Sequence, residues 1–203
     1  MTTVSSAAQK ASEADKRLLL SALFRHHFAD HTYSIVTLSQ NRTAIMKFYP
    51  SAYTKITGNA DHPALRGTAY FYPVPSGGVL IETEIFNLPY KDAAPYSQFY
   101  AMHIHETGDC SLPFDKTGPH YNPGGLPHPQ HAGDLPPLLG NRGYAYGAFY
   151  TDRFELPEII GRALIIHSAV DDFTTQPSGN AGDKIGCGVI TENYETPGWF
   201  PSV

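Results

Sequence analysis

Beyond residue 58 the chain breaks into short runs of aromatic and β-branched residues, and this feature most narrows the folds open to it. RGTAYFYPV, GGVLIETEIF, SQFYAMHIH, RGYAYGAFY, GRALIIH and KIGCGVI are each strand-length and are separated by Gly, Pro, Asn and Asp. Val79, Ile81, Thr83 and Ile85 alternate within the second run and can share one face. No helical pattern intervenes between the runs, so the expected fold class is all-β, a sandwich or barrel. Thirteen Tyr, eleven Phe, eighteen Gly and seventeen Pro agree with strands joined by many turns.

Residues 58–203 are expected to form one domain, and residues 1–57 an N-terminal extension of unassigned role. Leu18, Leu20, Ala22, Leu23 and Phe24 predict a short helix over about 12–29, followed by two strand-like runs, HTYSIVTL and TAIMKFY, around SQNR. His26, His27 and His31 read as surface residues. The first residues do not read as a secretory leader, because their apolar run is short and follows Glu13, Asp15, Lys16 and Arg17. On that reading the compartment is cytoplasmic by default, with the periplasm or secretion left open. A net charge of −5 argues against a general nucleic-acid binder. No apolar run approaches the roughly 20 residues that cross a bilayer, so no membrane partner is expected.

Two stretches break the strand pattern, 106–142 and 168–184. Long loops in a compact domain usually carry function, and the first holds most of a cluster of potential metal ligands. The cluster comprises His103, His105, His120, His128, His131, Asp134 and His167, and takes in six of the chain's ten histidines. His103 and His105 are two apart in a run that reads as a strand, so both rings project from one face while Met102 and Ile104 project from the other. His128, His131 and Asp134 are spaced by three in HPQHAGD, where Pro127, Pro129 and Gly133 oppose a regular helix. Two imidazoles, a carboxylate and one further ligand meet the tetrahedral demand of zinc. His120 stands between the groups, and a deprotonated imidazole can bind one ion at each nitrogen. His167 ends GRALIIH and is followed by Asp171, a candidate to accept an N–H from a ligating ring. Cys110 and Cys187 are read either as two buried thiols or as one disulfide.

The segments HIHETGDC, GPHYNP, HPQHAGDL, GRALIIH with SAVDD, and GNAGDKIGCGVI occur in that order, and together they resemble the copper/zinc superoxide dismutases. The resemblance covers about residues 65–192. It implies an eight-stranded Greek-key β-barrel with two long loops forming the site. It implies copper held by His103, His105, His120 and His167, and zinc held by His120, His128, His131 and Asp134. His120 is then the bridge and takes part in catalysis. Asp171 matches the acid that links the two sites, and Cys110 and Cys187 match the family's disulfide. The implied reaction converts two superoxide anions and two protons to dioxygen and hydrogen peroxide by Cu(II)/Cu(I) cycling, with superoxide as the substrate. A homodimer is one assembly the resemblance allows.

The sequence departs from that pattern in the anion-guiding shell. The family's usual arginine is matched by Lys184, preceded by Asp183, and its usual channel threonine by Ser178. Lysine keeps the charge without the planar fork, so the expectation is an enzyme less strongly steered than its relatives. Two other functions fit a metal cluster: a non-enzymatic copper/zinc-binding or copper-delivery module, and a zinc-only structural domain. The complete ligand set argues against both.

Overall fold

The computed structural model describes residues 33–39, 42–90 and 97–193. The helix expected over 12–29 lies outside the described residues, as do His26, His27 and His31. The chain divides into two compact units, Met1–Pro50 and Ser51–Val203. In the first, β1 (Tyr33–Ser39) and β2 (Arg42–Phe48) pair antiparallel from Tyr33↔Phe48 to Ser39↔Arg42, in the two runs the sequence marks as strands.

The second unit is all-β. Its strands are β3 (Ala52–Gly58), β4 (Arg66–Pro73), β5 (Val79–Phe86), β6 (Ser97–Tyr100), β7 (Met102–His105), β8 (Leu138–Asn141), β9 (Tyr144–Thr151), β10 (Ala163–His167), β11 (Lys184–Val189) and the two-residue β12 (Thr191–Glu192). Hydrogen bonds connect them in the order β6-β8-β9-β5-β4-β3-β11-β10-β7, with β12 on β3. The two ends of that path, β6 and β7, are halves of one run interrupted only at Ala101. The interrupted strand therefore closes the sheet on itself, and counted as one it makes the circuit eight strands. Ala101 seals the joint: its N–H donates to the Ala169 carbonyl at 2.8 Å, and its carbonyl accepts from the His167 N–H at 2.9 Å. The links β5 to β6 and β9 to β10 each pass over two strands, while β8–β9 and β10–β11 are neighbours, which is Greek-key connectivity.

Alternation places the core. Val79, Ile81, Thr83 and Ile85 of β5 are all buried on one face, with Ala52, Ile56, Ala69 and Phe71 beside them. Fully burying an Ile or Phe side chain contributes about 1.5–3 kcal/mol, so this face accounts for much of the barrel's stability. Two strands differ from the sequence expectation. β8 falls within the predicted loop 106–142, because LLGN is too short to show a period. β3 falls within the predicted extension, yet it pairs with β4 along Ala52↔Phe71 to Thr57↔Arg66 and with β11 at Gly186↔Gly58. Its buried positions are Ala52, Thr54 and Ile56, too polar and small a set to stand out. A one-turn helix, α1 (Leu156–Ile159), capped by Glu155 and Glu158, also escapes the sequence pattern.

These boundaries yield a test by truncation. A chain starting at Ser51 keeps every barrel strand and is expected to keep a single cooperative thermal transition. A chain starting at Asn59 loses β3, leaves β4 and β11 without their shared neighbour, and is expected to be insoluble or to melt without cooperativity.

Candidate metal centre

β7 does what its alternation predicts. Met102 and Ile104 enter the hydrophobic core, and His103 and His105 lie on the opposite face, also buried. One edge of β7 pairs with β10. The other edge receives the long loop. The Ile104 N–H donates to the Gly133 carbonyl at 2.9 Å, and the Ile104 carbonyl accepts from the Tyr121 N–H at 2.8 Å. The Gly133 N–H in turn donates to the Tyr121 carbonyl at 2.8 Å. The approach needs a glycine, because a Cβ on Gly133 would lie 2.3 Å from the Ile104 carbonyl oxygen. Bridges His105↔His120 and His103↔Asp134 follow from this docking, so the loop's ligands are set against the strand's by main-chain bonds.

All seven predicted ligands come together, in two groups of four that share a member. His103, His105, His120 and His167 form one group, and His120, His128, His131 and Asp134 the other. Within each group the potential ligand atoms lie within 4.8 Å of one another. The outward hydrogen bonds decide which ring nitrogens face inward, since a carbonyl or carboxylate oxygen can only accept. His105 Nδ1 donates to the Gly118 carbonyl at 2.8 Å, and His167 Nδ1 to the Gly182 carbonyl at 3.2 Å, which leaves both Nε2 atoms inward, 3.3 Å apart. His103 Nε2 donates to Asp171 Oδ2 at 2.8 Å, which leaves His103 Nδ1 inward. His128 Nε2 donates to Asp171 Oδ1 at 2.8 Å, which leaves His128 Nδ1 inward, beside Asp134 Oδ2 at 3.0 Å but outside hydrogen-bonding geometry. His120 Nδ1 sits 2.7 Å from Asp134 Oδ1 and 3.4 Å from His131 Nδ1, so its Nε2 faces the first group.

The inward nitrogens His103 Nδ1, His120 Nε2 and His128 Nδ1 are buried without a hydrogen-bond partner. Buried polar atoms are rarely left so, and a cation in each group would satisfy them. The donor sets suit particular ions: four imidazoles suit copper, and three imidazoles with one carboxylate suit zinc. The two groups fit a copper and a zinc site joined at His120.

Electrostatics keep the ligands in binding form. Burial lowers the His105 pKa to about 2 and the His167 pKa to about 3, and lowers that of His103 as well. These rings are therefore neutral, with lone pairs available, throughout the neutral range. Burial pushes the Asp171 pKa up, but donation from His103, the Phe173 N–H and His128 outweighs it and holds the carboxyl well below the usual range. Asp134 is also held low, burial being outweighed by His120, His131 and His128. Asp171 thus stays charged while joining one ring of each group. It needs Gly179, at φ +68, because a Cβ there would fall 1.9 Å from Asp171 Oδ1 and 2.7 Å from His128 Nε2.

A cleft of about 570 Å³ opens onto the first group, with Ser178 and Lys184 in its wall beside His105, His120 and His167. Lys184 stands opposite His167 in the β10–β11 register. It is half-buried, and its ammonium donates to Thr117 Oγ1 at 2.8 Å, to the Gly118 carbonyl at 3.2 Å and to the Phe114 carbonyl at 3.4 Å. Burial lowers its pKa, with Asp115 partly opposing the shift. Cys110 and Cys187 form the disulfide, tying the loop after β7 to β11. Two further residues brace the site without a sequence signal, because they act on main-chain atoms. Arg153 Nη1 donates to the carbonyls of Pro129 (2.9 Å), His131 (3.0 Å) and Asp134 (3.3 Å). Gln176 meets the His128 peptide groups from the second loop.

Comparison with known proteins agrees with this geometry. A family model described as copper/zinc superoxide dismutase matches residues 65–190. The extracellular Cu-Zn superoxide dismutase of Rattus norvegicus is 34% identical over 166 residues, covering 75% of this chain and 64% of that protein. The mouse counterpart is covered over 60% of its length, so the chain spans somewhat less than two thirds of these relatives. The Cu-Zn superoxide dismutase of Deinococcus radiodurans is 33% identical over 146 residues, covering 61% of this chain and 76% of that protein. Among solved structures, the clock protein EA4 matches with a TM-score of 0.61 and 30% identity, over 71% of this chain and 96% of that one. A SOD-like protein from Bacillus subtilis matches with a TM-score of 0.57 and 27% identity, over 68% and 96%. The matched segment holds all seven candidate ligands, Asp171, Lys184 and both cysteines, and the chain belongs to the copper/zinc superoxide dismutase family.

Proposed function

We propose that the protein is an enzyme that dismutates superoxide, converting two superoxide anions and two protons to dioxygen and hydrogen peroxide. The observation that carries this reading is the complete pair of ligand groups, with the inward nitrogens of His103, His105, His128 and His167 set by outward hydrogen bonds. Copper, held by His103, His105, His120 and His167, would supply the one-electron couple that exchange between two superoxide anions requires. The chain's own part is to shape and charge the approach. The cleft reaches His105, His120 and His167 and leaves His103 behind them, so a small anion arrives on one side of the group. His120 Nε2 is buried and has no partner of its own among the described residues, so it is free to meet an ion in the first group. His120 Nδ1 and Asp134 Oδ1, 2.7 Å apart, would both turn to the second ion, which would hold that ring in place.

Lys184 brings positive charge to a chain of net charge −5. All three of its N–H donors meet protein oxygens. It therefore acts as a held charge at the cleft wall, not as a free hydrogen-bonding hand for substrate, and Ser178 offers a hydroxyl in that wall.

Pulse radiolysis of the copper- and zinc-loaded protein tests the activity. The expected result is superoxide decay many times faster than the same copper gives on an unrelated protein surface. Metal bound at full stoichiometry with decay no faster than that reference would make the chain a metal-holding module instead. In the same assay, Lys184→Gln is expected to slow the second-order reaction roughly tenfold at low salt and to flatten its ionic-strength dependence. Asp171→Asn is expected to weaken metal binding by about 10- to 100-fold in chelator competition. One amide oxygen cannot replace two carboxylate oxygens that accept from His103 and His128.

A further inference from the structure

His128 is held by the second loop at three points, and only one of them has a counterpart in the sequence reading. Asp171 accepts from its ring. Gln176 takes both of its main-chain groups: the His128 N–H donates to Gln176 Oε1 at 3.1 Å, and Gln176 Nε2 donates to the His128 carbonyl at 2.7 Å. Such a reciprocal pair is the bond a neighbouring strand would make, supplied here by one side chain. The local sequence creates the need for it. His128 stands between Pro127 and Pro129, which have no N–H, so its peptide groups have little secondary structure to join. The pair stops the peptide from rotating about an axis that would swing the ring, while Asp171 sets the ring's tilt.

The loop bearing Gln176 is itself a closed unit. Asp172 Oδ1 accepts from the N–H groups of Thr174 (2.9 Å) and Thr175 (2.7 Å), the Gly179 N–H donates to the Thr175 carbonyl at 2.7 Å, and the Asp172 N–H donates to the Gly179 carbonyl at 2.9 Å. Gln176 is thus presented from a braced turn, and the next two residues, Pro177 and Ser178, line the cleft onto the first ligand group. One side chain joins the backbone of a second-group ligand to the wall of the first-group cleft.

We propose that Gln176 is a positioning residue for the zinc group, aligning His128 through its peptide and tying zinc loading to the loop that walls the cleft. The inference rests on the assignment of His128 to zinc. Gln176→Ala removes both bonds. Gln176→Glu keeps the length but sets a carboxylate oxygen against the His128 carbonyl. Thr174→Ala, on the same loop, removes a hydroxyl bonded to Asp172 and is the control. Zinc affinity is measured on the full chain by chelator competition, and cobalt(II) is placed in the same group so that its visible absorption reports ligand geometry.

Both Gln176 variants are expected to bind zinc about tenfold more weakly, with altered cobalt absorption, and Thr174→Ala to stay within about twofold of the parent. Parent-like zinc affinity and cobalt spectra in both Gln176 variants would overturn the inference. So would a Thr174→Ala loss as large as theirs, which would mark a general loosening of the loop. Failure of the zinc assignment is distinguishable, because His128→Ala would then leave the zinc affinity and cobalt absorption of the protein unchanged.

Discussion

Ile104 spends both of its main-chain hydrogen bonds on the loop that carries His120, His128, His131 and Asp134, through Gly133 on one side and Tyr121 on the other. Its side chain is in the core, and its two neighbours in sequence are candidate ligands. Strand alternation thus aims His103 and His105, core packing holds the strand against sliding, and the strand's remaining edge docks the other ligands. A one-residue slip of β7 would bury two imidazoles in the core and expose Met102 and Ile104 to the site. The centre is therefore as rigid as the barrel, and the barrel closes through the same run of chain, at Ala101.

Much of the site was legible because metal ligation demands particular side chains at particular spacings. The two-residue step of His103 and His105 and the three-residue steps of His128, His131 and Asp134 survive as written, and strand periodicity correctly separated them from Met102 and Ile104. Tautomers were not legible. They depend on the carbonyls of Gly118 and Gly182, which any residue type supplies, and only the fold decides which carbonyl faces which ring. The same holds for Arg153 and Gln176, whose partners are main-chain atoms. β3 escaped because Thr54 and Lys55 interrupt its apolar pattern, and β8 because four residues hold too little of one.

Burial does two opposed things at this centre. It strips water from the rings of His103, His105 and His167, which keeps them neutral and able to ligate, and it makes the charge of Asp171 costly. That charge is held by sharing it between two rings and the Phe173 N–H. Lys184 shows the complementary solution for a cation: half-buried, it is held by neutral oxygens of residues 114–118, and one of these, the Gly118 carbonyl, also receives the His105 ring. The departure from the family's usual arginine is therefore a change in how charge is delivered to the cleft. The expected result is a fixed field with little capacity left to grip the anion.

One ring, His120, belongs to both groups, and magnetic coupling between the two bound ions probes that sharing. Copper is loaded into the first group and cobalt(II) into the second, and the copper electron paramagnetic resonance signal is compared with that of protein carrying zinc in place of cobalt. An imidazole shared between the two ions transmits exchange coupling, so the account predicts that the copper signal collapses when cobalt is bound. A copper signal of undiminished intensity with both ions at full stoichiometry would show two separate sites and contradict it.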